Sequence, residues 1–455
     1  MMSEASFGPR RIRPKDVEPS RPERENIETV IRMTIGSDSE AKILASLMKA
    51  VDPWTRLAKP DPLDRWLSRE LGVEGAPVRL PVAGWFSALE LLVEAKEARG
   101  GWPDAIERRV LDFLRSLMRF TRPDGRVATL DERAIGTEDL RVRWERLAGA
   151  FPGSDASRVV DWWFPGRRSK PIAPPRAGWS STERVLGSLR VDWTTRGDLL
   201  AFDQRGGSSA TRFELFGSGH PWLAGLWRAP GGDDVKAAAV KPVVWRTSSA
   251  ADVAEWTFRA GGLRIRRVLV LLHGRRAALL ADQVDSLKAP AKIETTIGLP
   301  TSDLTVEAVP ESRALLLRSA TDGKSAQVIP MGLPALPYET DRGRFGFDPE
   351  RGSLSLSRAA TGARAWMPLF VSWNNARHRK PLSWRALTVS ENFKVRPPEL
   401  AQAARVSWGR SETFLIYRSL GPPARRSFLG HTTTARFLVA RFTPEGDVDP
   451  IVSLE

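Results

Sequence analysis

The chain holds four histidines and no cysteine in 455 residues. Side chains that exchange a proton near neutral pH are therefore few, and thiolate chemistry is excluded. His378 lies in the segment WNNARHRKPLSW, the densest mixture of His, Asn, Arg and Trp in the chain. The flat faces of Trp373 and Trp384 suit a sugar ring. Arg377, Arg379 and Lys380 suit a carboxylate or sulfate, while Asn374, Asn375 and His378 offer neutral hydrogen-bonding groups. This segment is the candidate carbohydrate-binding site, with a solvated basic loop as the plainer alternative. His220 (GSGHPW) and His273 (LLHGRR) fall in turns, where polar residues are common. His431 (LGHTTT) precedes a strand. His220 and His273 are read as exposed turn residues rather than catalysts, and His431 as a local hydrogen-bonding residue.

Other chemistries find little support. There is no HExxH run, no paired histidines at helical spacing and no carboxylate-rich loop, so no metal site is expected. Gly206-Gly207-Ser208-Ser209 lacks the Lys-Ser/Thr and the following helix of a phosphate-binding loop, and no G-x-S-x-G elbow occurs. No cofactor is expected. The formal net charge is +15, from 69 Lys and Arg against 54 Asp and Glu. Fifty-six of the basic residues are Arg, dispersed along the chain. From Arg351 onward, 16 basic residues face 7 acidic ones. Such a balance attracts anions such as an acidic polysaccharide. Nucleic acid is the less favoured partner, because the tryptophans that would have to be exposed lie in strand-like contexts.

These residues need elements to position them. Residues 1–36 are polar, rich in Pro and Arg, and read as a mobile tail. Residues 37–164 are helical in texture: Ile43, Leu44, Leu47 and Val51 form one stripe, and Ile106, Val110, Phe113, Leu114 and Leu117 another. Residues 165–184 are a Pro/Gly/Arg-rich linker. From 185 to 455 the period changes to short apolar segments between turn signals, with no helix long enough for a parallel crossover. The fold class is thus α+β multidomain: a helical domain, a partial α/α toroid or a bundle, followed by a large antiparallel β-sandwich. Within it, Val268–Leu272 and Ala277–Ala281 flank a turn at His273-Gly274-Arg275-Arg276. Neither run alternates, so both faces of this hairpin are expected to be covered. No run of about 18 apolar residues is present, so no membrane span is expected. The start of the chain shows no apolar signal core, and a cytoplasmic location is expected.

The segment LLAFDQRGGSSATRFELFGSGHPWLAGL, Leu199 to Leu226, resembles the start of the sandwich in heparinase II/III-type polysaccharide lyases. The hairpin from Arg259 to Val284, with its acidic Asp282, resembles a later strand pair of that family. The resemblance runs from about Val185 to Glu455. It implies an α/α toroid joined to an antiparallel sandwich, and β-elimination at a uronic acid. Such a reaction takes its acid, base and carboxylate-neutralising groups from His, Tyr and Asn. Here the loop Gly206–Thr211 has neither His nor Asn, and the stretch from Ser37 to Trp179 has no His, Tyr or Asn. No catalytic position carries over. The expectation is a protein that binds or processes an acidic polysaccharide and is catalytically degenerate. A structural or protein-interaction scaffold is the alternative.

Overall fold

The structure, a computed structural model, describes residues 38–57, 59–128, 140–164, 177–181, 185–194, 197–205, 207–230, 235–286, 288, 291–300, 304–336, 342–360, 362–409, 412–443 and 445–455. The expected tail and most of the expected linker lie outside these residues.

Six helices come first: α1 (Asp38–Leu57), α2 (Asp61–Glu70), α3 (Trp85–Arg99), α4 (Asp104–Arg119), α5 (Leu140–Gly149) and α6 (Asp155–Trp163). Local chemistry sets their ends. Pro62 occupies the first turn of α2, where a missing N–H costs nothing. Gly100, at φ 73°, closes α3 in the left-handed conformation. Ser154 caps α6 by accepting from the Ser157 N–H. The stripes at Ile43–Leu47 and Ile106–Leu117 are buried in one shared core.

All ladders of the second part are antiparallel. The first sheet runs in spatial order Trp179–Ser180, Leu186–Arg190, Leu199–Asp203, Thr211–Gly217, His220–Arg228, Ala291–Gly298, Ser353–Ala360, Gly343–Asp348. The second runs Leu304–Ala308, Leu315–Ser319, Ser325–Pro330, Arg364–Ser372, Ala277–Asp285, Leu263–Leu272, Ala251–Ala260, Ala238–Thr247. A five-stranded third sheet and a small four-stranded fourth sheet follow.

The layers stack in the order helices, first, second, third and fourth sheet, and strand alternation shows why. On the first sheet, Leu186, Leu199, Ala201 and Phe216 join the helical core, while Leu189, Leu200, Phe202 and Leu215 face the second sheet. On the second sheet, Leu269, Leu271, Ala278 and Leu280 face the first. Val268, Val270, Leu272, Ala277 and Leu279 face the third. The central hairpin is therefore covered on both faces, which is why its apolar runs are continuous. The third sheet repeats the pattern, with Val406, Phe414 and Ile416 on one side and Ala403, Leu415 and Tyr417 on the other.

Two buried charge networks interrupt these cores. Arg267, fully buried, forks onto both oxygens of Asp282 at 2.8 and 2.9 Å. Its remaining Nη1 donates to the Thr211 hydroxyl and the Trp227 carbonyl of the first sheet, and its plane lies 4.0 Å from the Trp227 ring centroid. On the other face, Glu255 accepts from Arg418 and Arg436 of the third-sheet side and from Arg266 beside it. Burial alone would raise its pKa; the three guanidiniums outweigh that and hold the carboxyl below its ordinary value.

Candidate functional site: the helix–sheet junction and a basic cleft

The 373–384 segment folds inward. Trp373 and Trp384 are 2 % and 4 % exposed, so neither presents a ring face to a ligand. The Trp373 Nε1 donates to Asp198 at 3.1 Å, and the Trp384 Nε1 to the Leu333 carbonyl at 3.1 Å. Strand burial of their ring faces outweighs the loop context that made them look available. Asn374 caps the short helical turn Asn375–His378 by accepting from the Ala376 N–H. Asn375 accepts from the Ser325 N–H, and Arg377 is buried on Glu412 with two charge-assisted bonds of 2.6 and 3.0 Å. Arg379 and Lys380 remain exposed. The structure brings Asn374, Asn375, Arg377 and His378 together, with the Oδ1 atoms of both asparagines, the Arg377 guanidinium and both His378 ring nitrogens bonded within the protein.

His378 and Ser325 resemble a hydroxyl–base pair at 2.7 Å. The geometry is that of such a pair, but the basicity is missing. The Nε2–H donates to the Ser372 carbonyl, leaving Nδ1 to accept from the Ser325 hydroxyl. Burial pushes the imidazole down to about 4, so it is a weak base at neutral pH. A second histidine, His220 at the start of the strand His220–Arg228, meets the segment before Ser325: its Nε2 lies 2.7 Å from Asp322, which also pairs with Lys324. Near by, Asp198 is buried and accepts from the Trp373 indole and the Ser218 N–H. Burial pushes its carboxyl up to about 6.

At the junction between helices and first sheet, guanidinium–carboxylate pairs fill the space. Arg122, after α4, forks onto the fully buried Glu214 at 2.5 and 2.8 Å. Burial works against that charge, but Glu214 outweighs it and raises the pKa. Arg205 binds both oxygens of Asp203 and reaches across to the Pro77 carbonyl at 2.5 Å. In the loop before Thr211, the Gln204 amide donates to the Ser208 carbonyl and accepts from the Thr211 hydroxyl. No bond of these two pairs is made to a described histidine, tyrosine or asparagine; His273 lines a cleft with Arg190 and lies 3.3 Å from Asp252. Arg190 is 1 % exposed; its backbone N–H donates to Asp252, and among the described residues its guanidinium donates only to the Thr121 carbonyl, with Nε and Nη1 unpartnered. Its guanidinium lies 4.7 Å from the Trp193 ring centroid, and burial pulls its pKa down to about 9. It borders a cleft of about 490 Å³ lined also by Thr247, Ser248, Ser249 and His273. The orphaned atoms there are sealed from solvent.

A larger cleft, about 750 Å³, opens at the far half of the first sheet. Ile293, Thr295 and Ile297 point towards the second sheet, so Lys292, Glu294 and Thr296 face the other way. Arg228 stands opposite Thr296 in the ladder, and the Gly261-Gly262 turn, Lys288 and Arg351 close the rim. The lining thus carries Arg228, Lys288, Lys292 and Arg351 against Glu294 alone. Lys288, Lys292 and Arg351 are exposed. Sequence reading missed this site because its cations come from three segments spread between Arg228 and Arg351. The one local signal was the alternation of Lys292, Glu294 and Thr296 with Ile293 and Ile297. Among the described residues, no three or more metal-ligating side chains gather, and no helix is long and apolar enough to cross a membrane.

No family model matches the sequence, and no curated protein matches it. Solved structures do. A heparan sulfate lyase mutant from Pedobacter heparinus superposes with a TM-score of 0.61 at 12% identity, covering 88% of this chain and 69% of that one. A structure described as a heparinase III gene product gives 0.61 at 8% identity, covering 92% and 68%. Another heparinase III gives 0.60 at 12% identity, covering 91% and 69%. At these identities the likeness concerns the fold, and the resemblance read from Leu199–Leu226 and the central hairpin agrees with it: this chain has a heparinase III-like fold.

Proposed function

We propose that this protein binds an acidic polysaccharide without cleaving it by β-elimination. The fold supports the substrate class. The observation that carries this reading is the helix–sheet junction, where the carboxylates Glu214 and Asp203 are taken up by Arg122 and Arg205 and neither is bonded to a described imidazole or phenol. Abstraction of the proton beside a uronate carboxylate needs a base that is unprotonated near neutral pH, and arginine titrates far too high for that. Asp203 and Glu214 are committed to arginines, and Asp203 is held below its ordinary pKa because Arg205 outweighs burial.

The test uses the whole protein with heparan sulfate, hyaluronan, alginate and a neutral glucan. Retention of at least one acidic polymer, no retention of the glucan, and no growth of the ultraviolet absorbance of an unsaturated uronate are the expected results. Unsaturated product would refute the non-catalytic half. Failure to bind any acidic polymer would remove the reading altogether.

A further inference from the structure

We propose that the basic cleft lined by Arg228, Lys288, Lys292 and Arg351 is the site where a carboxylated or sulfated sugar chain docks, away from the helix–sheet junction. The inference rests on the polysaccharide reading above and adds the place and mode of recognition. Two observations carry it. First, the cleft holds about 750 Å³, the size of a site for several sugar rings rather than a single ion. Second, four cations face one carboxylate there. Arg351 lies 3.8 Å from Asp348, but among the described residues neither Lys288 nor Lys292 has an ion-pair partner.

The lining contains no aromatic ring. Recognition is therefore by charge and hydrogen bonding, not by stacking on indole. Binding should weaken steeply with added salt, since exposed charge pairs are screened. Glu294 stands among the cations and bonds to the Ser355 hydroxyl at 2.6 Å. It disfavours an anion lying across the sheet face, so its removal should tighten binding.

The experiment compares wild type, the double variant Lys288→Glu/Lys292→Glu, and Glu294→Gln on heparan sulfate fragments, with thermal melting as the check on folding. All three altered positions are exposed, so normal melting is expected. The double variant should bind about tenfold or more weakly at moderate salt, and Glu294→Gln should bind more tightly than wild type. Equal binding by wild type and the folded double variant would overturn this cleft while leaving the polysaccharide reading intact. No binding by wild type would instead remove that reading itself. Single-stranded DNA of matched charge that competes as well as the glycan would show simple polyanion exchange and would also overturn the proposal.

Discussion

Asp198 and His378 sit one strand end apart from each other's partners, yet their titrations push stability in opposite directions. Asp198 has a folded pKa of about 6 against 3.8 for the free group. The folded state binds the extra proton between those values, so this residue stabilises on acidification and costs stability as pH rises through about 6. Asp198→Asn keeps an acceptor for the Trp373 indole and the Ser218 N–H. It is expected to melt higher than wild type above pH 7, with the gap closing near pH 4. A variant that melts lower at every pH would contradict the account. His378 runs the other way. Its folded value of about 4 lies below the free 6.5, so stability is complete above 6.5 and falls as pH drops towards 4. At this scale the sequence was least readable. That Trp373, Arg377 and Trp384 turn inward depends on Asp198, Glu412 and Leu333, all at least 35 residues away, and nothing in WNNARHRKPLSW signals those partners.

Elements were more legible. The unbroken run Val268–Leu272 has no polar side to give to water, and the structure supplies a sheet on each side of it. Helical spacing in α1 and α4 likewise named the residues that are buried. What remained hidden was how adjacent sheets are held in register, because Arg267 looked like one more basic residue in a basic strand. It is the fork that joins Asp282 to Thr211 and Trp227 across two sheets. Arg267→Met leaves Asp282 buried without its partner and is expected to cost about 3–5 kcal/mol in urea unfolding. Adding Asp282→Leu to it should recover much of that loss, since two apolar side chains replace a pair rather than break one. If the double variant is less stable than the single, the pair is not the source of the penalty.

For the whole molecule, the division into a helical part and an antiparallel sandwich could be read from the change of period near residue 185. The bond between the parts could not. Helices and first sheet share one apolar core, in which Leu186, Leu199 and Phe216 sit among helical residues, and Arg122–Glu214 lies within the seam. The helical part is therefore an outer layer of the stack, and its sequence-defined boundary is not a boundary of packing. The central sheet has consequences of its own. Its strands Leu263–Leu272 and Ala277–Asp285 meet solvent only at their ends, so their backbone amides are expected to be the slowest in the chain to trade hydrogen for deuterium. In a native-state exchange series, label should enter the small fourth sheet and the helices first and this hairpin last. The molecule would then come apart from the outside inwards, with its middle sheet as the last memory of the fold.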